Sequence, residues 1–254
     1  MALKLTKRRQ AIALAAILLI AVIAWWFVAW ESEEAAAPGV RGTYSTNFSV
    51  IEDPLSEGGN WINGRKDGLD WADVRTGSGI AFGTQSGLGG YDDSTAVLGG
   101  AWGPTQTVTA TIHAKNQPSS NTVFEEVELR LRTTITAHRL TGYEVNFSCS
   151  ANPANHYAQI VRWNGKLGSF SYLKATTMYH CSDGDIVKAT MSGKTIEVFV
   201  NNVQIMKARD GTFSNGNPGI GFFLRGASGQ VNPDFGFSSF TATDGFKPES
   251  NPSP

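Results

Sequence analysis

The stretch Phe124–Thr136 reads FEEVELRLRTTIT. Its period is two. Val127, Leu129 and Leu131 fall on one side of an extended chain, and Glu126, Glu128, Arg130 and Arg132 fall on the other. Successive side chains of a strand point to opposite faces of its sheet, so this run predicts a strand with one face in a core and the other toward water.

Thirteen further segments read as strands. Before it lie YSTNFSV (44–50), DWADVRT (70–76), GIAFGTQ (79–85), STAVLGG (94–100) and QTVTATIHAK (106–115). After it lie GYEVNFSCS (142–150), YAQIVRWNG (157–165), SFSYLKAT (169–176), DIVKATMSG (185–193), TIEVFVN (195–201), VQIMKA (203–208), GIGFFLRG (219–226) and FGFSSFTATD (235–244). Each is rich in β-branched or aromatic residues and is bounded by Gly, Asn, Asp or Pro. Asn164-Gly165, Ser192-Gly193 and Asn201-Asn202 have the residue types of tight hairpins, so the strands are expected to be antiparallel. Fourteen such strands exceed what one open twisted sheet holds, and the expected fold is all-β, a sandwich of two antiparallel sheets.

Composition agrees: of 254 residues, 41% are hydrophobic and 17% charged, with 28 Gly and 14 Phe, which excludes disordered, collagenous and coiled-coil chains. The balance of 21 basic and 22 acidic residues leaves no electrostatic footprint for nucleic acid, so no nucleic-acid partner is expected.

The N-terminus is different. Residues 1–10 carry Lys4, Lys7, Arg8 and Arg9, and residues 11–30, AIALAAILLIAVIAWWFVAW, have no charge. Twenty helical residues cover roughly 30 Å, one hydrocarbon core, and Trp25, Trp26 and Trp30 suit an interface. With the basic residues cytoplasmic, residues 11–30 are expected to be a transmembrane signal anchor and everything beyond Trp30 to face the periplasm or cell exterior. A cleaved signal peptide is the alternative and exports the same domain. Residues 31–41 read as a linker, 42–246 as the folded domain and 247–254 as a disordered tail. The two cysteines of the chain, Cys149 and Cys181, both lie in the exported part, where a structural disulfide is the natural expectation and two buried thiols the alternative.

The stretches TGYEVNFSCS with YAQIVRWNG, DIVKATMSGKTIEVFVNNVQIMKARD, and GNPGIGFFLRG with FGFSSFTATDG resemble the concanavalin A-like lectin/glucanase superfamily, jelly-roll sandwiches that include laminin-G-like domains. The resemblance runs from about Thr43 to Asp244 and implies the fold; lectins, glycosidases, lyases and adhesion modules share it, so function rests on the site.

In jelly-roll members, glycans lie on the concave face of one sheet. The polar side of adjoining strands here offers Glu126, Glu128, Arg130, Arg132, Glu144, Asn146, Arg162, Tyr172 and Lys174. Arg130 and Arg132 are expected donors to a polysaccharide or glycan, with Glu128 and Glu144 as acceptors and Trp163 or Tyr172 as a stacking platform. Ordinary cross-strand ion pairing, Arg130 against Glu144 for instance, explains the same residues without a ligand. Glu126 and Glu128 could form the carboxylate pair of a glycoside hydrolase. The glucanase E-x-D-x-x-E strand is absent, and Glu128-Leu129-Arg130, Gln159-Ile160-Val161 and Tyr172-Leu173-Lys174-Ala175 match a polysaccharide-lyase pattern only without its His. A surface module adhering to protein is a third class. Calcium is a possible cofactor, on turn acids Asp92, Asp93, Asp183, Asp185, Asp234 or Asp244. Trp61, Trp71, Trp102 and Trp163 are either edge core or sugar platforms. The dispersed His113, His138, His156 and His180 have no metal-site spacing.

Overall fold

A computed structural model describes residues 42–67, 70–227 and 231–245. The basic terminus, the expected span 11–30, the linker to residue 41 and the tail from 247 lie outside these. Among the described residues no helix is long and apolar enough to cross a membrane.

The strands are β1 (Thr43–Thr46), β2 (Trp61–Asn63), β3 (Val74–Gly77), β4 (Ile80–Gly83), β5 (Ser94–Leu98), β6 (Gln106–Ala114), β7 (Phe124–Thr136), β8 (Arg139–Ser148), β9 (Ala158–Gly165), β10 (Phe170–Thr176), β11 (Ile186–Ser192), β12 (Thr195–Val200), β13 (Val203–Arg209), β14 (Asn217–Arg225) and β15 (Phe235–Thr243). They form two antiparallel sheets. One runs β13-β12-β11-β6-β15-β4-β3 with β1 also on β15, and the other runs β10-β9-β8-β7-β14-β5-β2. All fourteen expected segments carry a strand, and β2 is an addition: three residues in a Gly/Asn-rich stretch give no periodic signal.

The core lies between the sheets. Val127, Leu129 and Leu131 of β7 meet Val145 and Phe147 of β8, Ile220 and Phe222 of β14, and Val187, Ala189, Phe237 and Phe240 of the facing sheet, all buried. The Cys149–Cys181 disulfide closes at this core, its Cα atoms 4.9 Å apart.

Two turns follow the expected chemistry. Asn201 and Asn202 sit at φ 49° and 65°, and Gly193 at φ 56° joins β11 to β12. Asn164-Gly165 does not turn: both residues continue β9, Gly165 opposite Leu140 and Asn164 opposite Thr141. The chain reverses instead over Lys166–Ser169, where Ser169 N–H donates to the Lys166 carbonyl.

The expectation of a wet face on β7 is overturned. Glu128 and Arg130 are 0% exposed. Their side chains leave the inter-sheet core, but the segment around Trp71 and residues Tyr91–Asp93 cross the outer face of the sheet. There Trp71, Leu140, Val161 and Trp163 make a second apolar cluster, with the Trp71 and Trp163 rings 5.5 Å apart and edge-on.

Candidate functional site

The register of the second sheet decides which side chains share this roofed outer face. Arg130 faces Glu144, and Glu128 faces Asn146. Asn146 faces Gln159, and Glu144 faces Val161. Val161 and Trp163 face Tyr172 and Phe170. On the other side, Glu126, Glu128 and Arg130 face Phe223, Gly221 and Gly219 of β14. Paired residues share a face, so these positions form one surface beneath the roof.

At its centre Arg130 pairs with three carboxyls. Its Nη1 lies 2.8 Å from Glu144 Oε2, its Nη2 is bound to Glu128 and lies 3.4 Å from Asp93 Oδ2, and the guanidinium stands 5.9 Å from the Trp163 ring centroid. Glu144 also accepts from Trp163 Nε1 at 2.5 Å and Asn146 Nδ2 at 3.0 Å. A glycine of β14 makes this possible: a Cβ on Gly221 would fall 2.2 Å from Glu128 Oε2 and 2.8 Å from Arg130 Nη2.

One guanidinium cannot neutralise four neighbouring buried carboxyls. Burial, reinforced by Glu144, pushes the Asp93 carboxyl up to about 8. Burial pushes Glu126 up to about 8 against the bond it accepts from Tyr157 Oη, and raises Glu128 well above the usual range. Arg130 moves the other way. Burial alone would lower its pKa, but Glu128, Glu144 and Asp93 together raise it. Below about pH 8 the ionised Arg130 therefore stands beside two carboxyls, Asp93 and Glu126, that keep their protons.

Asp93, Glu128 and Glu144 bring ligand oxygens within 4.8 Å of one another, the kind of grouping that can hold a cation. Here Arg130 touches all three carboxyls, so the guanidinium already occupies the cation's electrostatic place. Four of the other acids considered for calcium serve as hydrogen-bond acceptors. Asp183 binds Lys115 and the Ala114 N–H, Asp185 accepts from Tyr179 Oη and Asn201 Nδ2, Asp234 from Asn116 Nδ2, and Asp244 from the Gly103 N–H.

Above the cluster is an open depression with two connected parts. The inner recess, about 40 Å³, is lined by Asp93, Glu126, Glu144 and Asn146 among aromatic side chains that include Tyr91 and Trp163. The outer groove, about 220 Å³, is lined by Tyr91, Phe124, Tyr157, Tyr172 and Phe223 with Glu126, Gln159 and Arg225. Tyr91, Glu126, Gln159, Tyr172 and Phe223 line both. Tyr91 is held edge-on to Phe170 at 5.0 Å and stacked near Phe223 at 6.3 Å.

Of the residues expected at a site, Glu126, Glu144, Trp163 and Tyr172 line the recess, and Tyr172 is 61% exposed. Glu128 and Arg130 form the floor but are closed off from solvent, so direct contact with a ligand is corrected to support from below. The same burial removes Glu128 from any hydrolase pair with Glu126. Arg132 is not at the site. A bulge between Leu131 and Thr134, with Arg132 at φ 47°, diverts its side chain so that Nε donates to the Pro104 carbonyl and Nη1 to that of Phe213. Arg162 faces Tyr143, a core residue, and reaches Asp210 Oδ2 at 2.7 Å and Thr212 Oγ1 at 2.9 Å. Another bulge sets Lys174 opposite Ile160, away from this face. Sequence reasoning missed Tyr91, Tyr157, Phe170 and Phe223. Phe170 and Phe223 carried a usable signal, because a large apolar residue on a supposedly wet face argues that something covers it.

No protein-family model matches the chain, and no curated protein matches it in sequence. Solved structures do. The carbohydrate recognition domain of Emp46p in its potassium-bound form is 12% identical, over 80% of this chain and 98% of that one, with a TM-score of 0.54. The exoplasmic/lumenal domain of VIP36 is 9% identical in its metal-free form, over 82% and 93%, with a TM-score of 0.54, and its Ca²⁺-bound form gives 0.53. At such identities the likeness is one of fold: the chain shares the two-sheet β-sandwich of these domains.

Proposed function

We propose that this is a carbohydrate-binding, lectin-like domain that takes its glycan in the groove over the β7–β10 face, and that residues 11–30 hold it at a membrane with the domain outside the cytoplasm. The observation that carries the reading is the lining of the groove. Tyr91, Tyr172, Phe124 and Phe223 offer ring surface, while Glu126, Gln159, Tyr157 and Arg225 offer donors and acceptors. A sugar has an apolar ring face edged by hydroxyls and needs both kinds of contact side by side. The sandwich shared with the Emp46p and VIP36 domains supports it.

The test is retention of the full chain, held in a detergent without a sugar headgroup, on a glycan array. Tyr172→Ala should lose about tenfold or more in affinity, the scale of one interfacial aromatic. Tyr172 is mostly exposed, so stability should move by under about 0.5 kcal/mol. Equal retention of parent and variant, or no retained glycan, refutes the reading.

A further inference from the structure

The inner recess is built for positive charge. Its wall carries the carboxyls of Asp93, Glu126 and Glu144 between aromatic rings, and the faces of such rings attract cations electrostatically. Arg130 reaches Asp93, Glu128 and Glu144; among the described residues Glu126 has no ionic partner and is held by the Tyr157 hydroxyl. Asn146 supplies a separate sign. It is 4% exposed, its Nδ2 donates to Glu144 at 3.0 Å and to Gln159 at 3.3 Å, and its Oδ1 accepts from nothing in the protein. A buried acceptor left open in the wall of a recess asks for a donor from outside.

Size narrows the choice. One water needs about 10–15 Å³ of such space, so about 40 Å³ admits an amino group and its carbon but no sugar ring. The adjoining groove of about 220 Å³ takes the ring. We propose that the recess binds the protonated amino group of an amino sugar whose ring lies in the groove, with Glu126 as counter-ion and Asn146 Oδ1 as hydrogen-bond acceptor. This rests on the carbohydrate reading. An amino sugar is favoured over a lysine side chain because the mouth of the recess widens into a groove lined by both rings and polar groups, Gln159 and Arg225 among them, which match a hydroxyl-edged ring and not an alkyl chain.

Charge balance gives the proposal a signature. Asp93 and Glu126 keep protons up to about pH 8, so entry of an ammonium group at pH 6.5 expels a proton to solvent, whereas a neutral sugar expels none.

The experiment is titration calorimetry of the full chain at pH 6.5 with the methyl glycosides of glucosamine and galactosamine, of their N-acetylated forms and of glucose and galactose, with methylamine as a fourth probe. Two buffers of different protonation enthalpy are used. At least one amino sugar should bind about tenfold tighter than its neutral parent and its acetylated form, with a buffer-dependent heat. Glu126→Gln should bring that preference close to unity; Asp93→Asn serves if that variant does not fold. An amino sugar that binds no better than its parent, a heat independent of buffer, or a preference unchanged in the variants overturns the ammonium site and leaves the groove standing. Methylamine binding as tightly as the amino sugar overturns the amino-sugar assignment. If no sugar binds, the proposal falls, and the array decides separately whether the groove reading falls with it.

Discussion

Replacing Arg130 with methionine keeps most of the side-chain volume and removes the one guanidinium in contact with Asp93, Glu128 and Glu144. All four residues are under 5% exposed, so water cannot take over as it would at a surface pair. Breaking a buried ion pair by deleting one partner costs about 3–5 kcal/mol. For a domain of roughly 200 residues each kcal/mol shifts Tm by about 2–4 °C, which gives a loss of about 6–20 °C. The loss depends on pH, and its sign follows from the raised carboxyls. Asp93 and Glu126 hold protons in the folded chain up to about pH 8 and release them near the ordinary carboxyl values of 3.8 and 4.5 when unfolded. Between those limits the native state binds more protons, so stability falls as pH rises, fully present near pH 4 and lost through pH 8. The parent domain should therefore melt higher at pH 5 than at pH 9. Without Arg130, Asp93 and Glu126 hold their protons still more tightly, so the variant should lose most at pH 9 and least at pH 5. Calorimetric melts of parent and variant at the two pH values decide it. Adding Glu144→Gln to Arg130→Met should recover at least half the loss, because the second change removes the carboxyl that lay 2.8 Å from the deleted guanidinium. A variant that melts within 2 °C of the parent at both pH values would refute the claim that the cluster is a buried ionic unit.

Two further outcomes are expected. Gly221→Ala places a methyl 2.2 Å from Glu128 Oε2 inside a packed cluster, and should cost about 1–3 kcal/mol in urea unfolding; a change under about 0.5 kcal/mol would show the floor to be loose. Replacing both Cys149 and Cys181 by Ala opens a loop of sequence separation 32, and chain entropy puts the loss at about 3–4 kcal/mol, with unchanged unfolding midpoints as the contrary result.

The strand pattern of β7 was legible because period two is a local property. It separated Val127, Leu129 and Leu131 from Glu126, Glu128 and Arg130 correctly, and the Arg130–Glu144 pair is in register. What covers the polar side is not local. Trp71 and Tyr91–Asp93 precede β7 by more than thirty residues, in Gly- and Asp-rich segments without period, and only the tertiary fold lays them across β7–β10. The misplacement of Arg132 has a different cause. Two residues of bulge between Leu131 and Thr134 end the alternation, and polar residues on both sides of the break hide it.

A charged strand face under a roof also changes what the charges can do. Had Glu128 and Arg130 been wet, they would be ligand contacts of modest individual worth. Buried, they fix the position of Glu144, and through it Trp163 and Asn146, by bonds that a ligand never replaces. On the carbohydrate reading proposed above, the residues left to meet a ligand are those lining the recess: Tyr172 and Tyr91 by exposure, Glu126 and Gln159 by their place in its wall, and Asn146 by its open Oδ1. Rigidity below and open valence above are what a recognition site needs, since side chains already ordered by the floor lose little entropy when the ligand arrives. It follows that changes in the floor should lower stability first and affinity second, while changes at the mouth should lower affinity alone. The contrast between Arg130→Met and Tyr172→Ala is the sharpest form of that argument.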